Sequence, residues 1–229
     1  MPVVAAALCP HPPILVPQLA FGAASELDSL RAACLGAIDL LATADALVIV
    51  GSGSVTGERY DASAGGDFGR YGAPQVGVGL GEPVLPLSLL VGAWLVEQSK
   101  VASVRRTSIT VGAGESPYRC LELGREIAEG NDRIGLLVMG DGSARRSDHA
   151  PVHLHPRAEI FDSTVAEALR SVDLDVLAAL DPELATVLQA AGRAPWQVLA
   201  GALTSTTLSG DLTYNAAPYG VGYFVASFT

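Results

Sequence analysis

Val3-Val-Ala-Ala-Ala-Leu8, halted by Cys9-Pro10-His11-Pro12-Pro13, is the stretch on which the fold turns. Six consecutive apolar residues read as a strand covered on both faces, since a strand with one wet face alternates apolar and polar. The prolines that follow fix the backbone and withhold ladder donors, so the strand runs into a rigid turn. Three more short apolar runs repeat the pattern: Ala46 to Val50, Thr107 to Val111 and Ile134 to Met139. The first of these empties into Gly51-Ser52-Gly53-Ser54-Val55-Thr56-Gly57, the last into Gly140-Asp141-Gly142-Ser143. A final strand is predicted over Val221 to Phe228.

Helical spacing fills the intervals. Glu26 to Leu41 carries apolar residues at helical period, with Ser25 as N-cap and Asp28 in a capping-box-like place. Leu85 to Ser99 reads as a helix buried on most sides. Ser116-Pro117 supplies a cap and an N1 proline for a helix through about Glu129. Further helices are predicted from Arg157 through Arg170, from Asp181-Pro182 to near Gly192, and over Pro195 to Leu203. Residues 57–83 read as a long excursion, residues 144–157 as a loop, and 131–132 as a turn. This alternation predicts an α/β fold: a central, mostly parallel or mixed sheet with helices on both faces, in one domain over residues 1–229. Ligands of such sheets bind outside the carboxyl ends of the strands.

Composition narrows the function. The 229 residues are 49% hydrophobic, enough for a sizeable core, yet the longest apolar stretches fall short of the roughly 20 residues of a membrane span. A net charge of −10 with scattered basic residues excludes nucleic acid and anionic membrane as natural partners. Cys9, Cys34 and Cys120 are an odd number without a CxxC pair, which points to reduced thiols and a cytoplasmic protein. The apolar content also leads to the expectation of a homo-oligomer.

Any histidine-based chemistry must use His11, His149, His153 or His155, the only four histidines. His11, between two prolines at a strand end, reads either as a metal ligand or base, or as a buried imidazole bonded to backbone. His149, His153 and His155 form an HxxxHxH pattern that either holds a divalent metal or belongs to a solvated loop. The Gly51–Gly57 spacing is one residue longer than the tight dinucleotide fingerprint and follows the second strand, which argues against NAD. Ser143 lacks the GxSxG context of a nucleophile elbow.

Taken together, these strand ends resemble a known family. Ala7-Leu-Cys-Pro-His11-Pro-Pro-Ile-Leu-Val-Pro17 is similar to the start of the catalytic LigB-type subunit of class III extradiol ring-cleavage dioxygenases, whose fold the Memo-like proteins share. Leu136 to Ser143 is similar to that family's Gly-Asp-Leu-Ser-His strand end. Gly192-Arg-Ala-Pro-Trp196 and Tyr219 to Ala226 continue the resemblance. It implies a LigB-like fold and a non-haem Fe(II) held by two His and one carboxylate, with a further His as acid/base. His11 matches the first ligand. Gly53 stands where the second would be, Ala144 where the acid/base His would be, and Ala191-Gly192 where the acidic ligand would be.

The sequence therefore reads as a divergent member that has lost the iron site. It is expected to carry no cofactor and to bind a small molecule or partner in the strand-end cleft, with His11, Ser52, Asp141 and Ser143 as pocket residues. One alternative is an active metal-dependent dioxygenase or hydrolase. It would hold Fe(II) or another divalent metal through a relocated set that includes His11, with His149, His153 and His155 as candidates. Another is a Memo-like protein-binding module.

Overall fold

The computed structural model describes residues 3–130 and 132–229. The turn predicted at 131–132 includes residue 131 and so lies partly outside the described residues. Four parallel strands form the middle of the main sheet: β1 (Val3–Cys9), β2 (Ala46–Gly53), β6 (Arg105–Gly112) and β7 (Ile134–Met139). Three antiparallel strands extend it: β3 (Arg59–Tyr60) beyond β6, and β9 (Tyr223–Phe228) then β8 (Gly210–Ala216) beyond β1. The order across the sheet is β3-β6-β2-β7-β1-β9-β8. A separate ladder pairs β4 (Gly66–Phe68) with β5 (Ala73–Val78).

The mixed α/β sheet expected from the apolar runs is present. Its strands send alternate residues into two different cores. Ala5, Ala7, Cys9, Leu47, Ile49, Leu137 and Met139 pack on one face with α1 (Pro17–Ala20), α2 (Asp28–Asp39) and α3 (Leu87–Glu97). Ala6, Leu8, Val50, Ile109, Leu136 and Val138 pack on the other face. There they meet α4 (Pro117–Ala128), α5 (Ala158–Ser171), α6 (Leu174–Ala178), α7 (Pro182–Leu188) and α8 (Arg193–Leu203). Two-sided burial is why the strands are apolar without alternation.

The winding follows from the same two faces. The chain passes from β1 to β2 to β6 through α2 and α3 on one face, then returns through α4 on the other and places β7 between β2 and β1. The carboxyl ends of β1, β7 and β2 are therefore neighbours where the winding reverses, which is where open α/β sheets form their crevice. No helix among the described residues is long and apolar enough to cross a membrane.

Several elements differ from the sequence reading. Ser25 does not cap a helix through its hydroxyl. Residues 21–27 form a 3₁₀ turn, α2 begins at Asp28, and the Asp28 N–H bonds the Ser25 carbonyl instead. The excursion at 57–83 contains regular structure, because β3 joins the sheet edge and β4–β5 make their own ladder. β8 gives little signal in sequence because it is an edge strand whose alternate residues face water. The five-residue α6 is too short for a periodicity to register. At α4 the sequence reading holds: the Ser116 hydroxyl accepts from Arg119 N–H at 3.2 Å, and Pro117 sits at N1.

Glycines set the closest helix contact. A Cβ on Gly124 of α4 would lie 2.1 Å from the Val198 carbonyl oxygen, and one on Gly201 of α8 would lie 2.2 Å from that of Leu121. Both obstacles are backbone, so neither can swing away. Gly124→Ala is expected to destabilise the fold by about 1–3 kcal/mol in urea denaturation. Gly36→Ala, on the exposed side of α2 with nothing within 4 Å, should stabilise it by up to about 1 kcal/mol.

Candidate functional site at the strand carboxyl ends

His11 and Asp141 meet where β1 and β7 end. The backbone carbonyl of Cys9 accepts from Gly140 N–H at 2.9 Å, which carries the parallel pairing one step past the strands. Beyond it the Asp141 Oδ1 accepts from the His11 backbone N–H at 2.7 Å and lies 3.7 Å from the imidazole Nδ1. His11 is 8% exposed, and its Nδ1 is buried with no hydrogen-bond partner among the described residues. Burial raises the Asp141 carboxyl above the usual range, against the pull of the His11 side chain and backbone N–H. Tyr223 opens β9 at the same end of the sheet. Burial chiefly, and then the nearby Asp141 charge, push its phenol well above the ordinary value. The sequence reading placed Tyr223 only as an aromatic of the last strand. Antiparallel pairing of β9 with β1 is what carries it to this end.

Asp162, on α5 and 1% exposed, holds the Gly140–Ser143 turn in place. Its Oδ1 accepts from Ser143 N–H at 2.9 Å and its Oδ2 from the Arg146 guanidinium at 3.0 Å. Gly142 and Gly222 crowd the same carboxylate: a Cβ at Gly222 would lie 2.2 Å from Oδ2. Burial raises the Asp162 carboxyl, while the Ser143 N–H and Arg146 oppose the rise. Ser143 is itself fully buried. Its hydroxyl donates to the Leu188 carbonyl and accepts from Arg145 N–H, both at 3.1 Å, so it serves the loop.

On the β2 side, Ser52 is half-buried and donates to the Ala191 carbonyl at 3.1 Å, while its own carbonyl accepts from the Ser88 hydroxyl at 2.8 Å. Gly53 is pressed against β6. A Cβ there would lie 2.5 Å from Thr110 Cγ2 and 2.6 Å from Thr110 Cβ. Thr110 is buried and anchored by its hydroxyl to the Val55 carbonyl at 2.7 Å. Gly192 is equally confined, since a Cβ would fall 2.1 Å from Trp196 Cζ2. The neighbouring Arg193, 1% exposed, braces this segment with bonds to the carbonyls of Ala113 and Glu115 and to the Gln197 side chain.

Beyond Gly53 lies a cavity of about 560 Å³. Its walls come from the ends of β2 and β6, the edge strand β3, β4 with the turn that follows it, and the segment that leads into α3. His11, Asp141 and Ser143 do not line it. His149 and His153 are exposed in the loop between β7 and α5, and the His155 Nδ1 accepts from Arg157 N–H at 3.2 Å. Among the described residues no group of three or more His, Cys, Asp or Glu side chains is placed to hold a metal ion. A two-His, one-carboxylate iron centre does not fit this donor set, because among the described residues no second His joins His11 and Asp141.

The fold and site together define an α/β protein with a doubly wound mixed sheet and a polar cluster at its strand carboxyl ends. The chain is similar to the uncharacterized protein JW3007 from Escherichia coli K12, with a TM-score of 0.53 and 13% identity, over 98% of this chain and 99% of that one. At that identity the likeness speaks to the fold alone. No protein-family model and no curated protein matches the chain.

Two substitutions test the electrostatics. Because Asp141 holds its proton more readily in the folded protein than in the unfolded chain, it favours the fold below about pH 3.9, and that contribution fades as pH rises through the raised value. Asp141→Asn stays neutral and keeps an oxygen for the His11 N–H. Its stability relative to the parent should therefore climb as pH rises above about 4 in parallel urea titrations. Arg146→Met leaves Asp162 buried without its cation, and should cost about 3–5 kcal/mol at neutral pH.

Proposed function

We propose that this chain is a divergent homologue of the class III extradiol dioxygenases whose strand ends bind a small molecule without the family's iron. The resemblance at Ala7–Pro17 and Leu136–Ser143 supplies the family, and His11 retains the first ligand position. The observation that carries the rest is steric. At Gly53, where the resemblance calls for the second ligand, and at Gly192, one of the pair Ala191-Gly192 where it calls for the acidic one, a Cβ would already be 2.5 Å or less from Thr110 and Trp196. The chain has closed these positions by packing, beyond merely omitting the ligand atoms. Ala144, in the acid/base position, offers no proton-transfer group. The polar groups left at the strand ends, His11, Asp141, Ser52 and Tyr223, suit hydrogen bonding to an organic ligand.

The direct test is anaerobic reconstitution with Fe(II), followed by desalting and metal analysis. The expected result is far less than one iron per chain, unchanged in His11→Ala. One tightly bound iron per chain that His11→Ala removes would overturn the proposal in favour of a relocated ligand set.

A further inference from the structure

We propose that the cavity between β3, β4 and the start of α3 binds short apolar peptides with free termini, of di- or tripeptide size. This rests on the reading of the strand ends as a small-molecule site and places a ligand further along them, in a cavity that His11, Ser52, Asp141 and Tyr223 do not line. Four features of the cavity point the same way.

Charges of both signs line it: Glu58, Asp67 and Arg70. None makes an ion pair among the described residues. Asp67 and Arg70 are three residues apart and still do not meet, because Asp67 Oδ1 takes the Gly69 N–H at 2.7 Å. A ligand carrying only an amine or only a carboxylate would use one sign and face repulsion from the other. A phosphorylated ligand would face two carboxylates. A molecule with a cationic and an anionic end uses both.

The volume, about 560 Å³, lies in the roughly 300–1,000 Å³ range of pockets that enclose drug-sized ligands and exceeds what a single free amino acid fills. One wall is apolar, built from Leu87 and Leu90 at the start of α3, and suits aliphatic side chains. β3, the outermost strand of the seven-stranded sheet, contributes Tyr60 to the lining, and pairing of an extended ligand backbone with that edge is part of the proposal. A peptide alone among small zwitterions offers backbone donors and acceptors between its charged ends.

The test is calorimetric titration of the full chain with Leu-Leu, N-acetyl-Leu-Leu and Leu-Leu-amide. Leu-Leu is expected to bind, and blocking either terminus should raise Kd at least about tenfold, since each block removes a charge-assisted contact. Glu58→Gln and Asp67→Asn should weaken Leu-Leu but not the acetylated peptide. Arg70→Ala should weaken Leu-Leu but not the amide. All three replaced side chains sit in exposed, non-core positions, and far-ultraviolet circular dichroism confirms folding of each variant. Equal affinity for blocked and free peptides, or Leu-Leu binding that none of the three variants weakens, would overturn the proposal. Catechol binding that Glu58→Gln weakens, with no Leu-Leu binding, would overturn the peptide class while leaving a strand-end site. Absence of binding by both would overturn the peptide class and count against the site itself.

Discussion

A single buried carboxylate organises the carboxyl end of the sheet. Asp162 reaches from α5 to the turn after β7, receives the Ser143 N–H, pairs with Arg146 and is sealed by Gly142 and Gly222. Through that turn it fixes Asp141, and through Asp141 the backbone of His11 at the end of β1. Removing a carboxylate from water is unfavourable unless hydrogen bonds and a cation replace the lost hydration. Here the Ser143 N–H and Arg146 replace part of it, and the arrangement ties α5, the β7 turn and the entry to β9 into one unit. The position of His11 is thus set by a residue far along the chain.

The adjoining β2 side is governed by packing. Thr110 stands against Gly53, and Trp196 against Gly192, so two positions at the strand ends accept nothing larger than hydrogen. The close contact brings β2 against β6 and seats the Trp196 indole, which also packs edge-on against Phe224 at 5.8 Å. A cavity lies further out, between β3, β4 and the start of α3, with Glu58, Asp67 and Arg70 in its lining. The polar cluster at His11 and the cavity beyond Gly53 are therefore two parts of one sheet end with different chemistry.

Much of the fold is legible in the sequence because two-sided burial leaves a plain mark. The apolar runs at 3–8, 46–50, 107–111 and 134–139 are the four parallel strands, and the helices between them follow from spacing and caps such as Ser116. The elements that escape are those whose stability comes from neighbours. β8 is half wet, α6 has five residues, and β3 to β5 are short strands in a glycine-rich stretch. Ser25 fails as a cap because 3₁₀ backbone bonds compete successfully for the same residues.

The site divides along the same line. Residue types and strand ends determine that His11, Ser52 and Asp141 gather at one edge of the sheet, since each follows an apolar strand of a parallel set. Sequence alone does not assign Ser143 its role in the loop, bring Tyr223 beside Asp141, or press Gly53 against Thr110. These depend on strand order, on the antiparallel docking of β9 and on contacts between residues far apart in the chain. Local pattern reports which face of an element is buried. Which partner buries it, and whether a gap or a side chain stands opposite a glycine, is decided only when the sheet and its two helical layers close together.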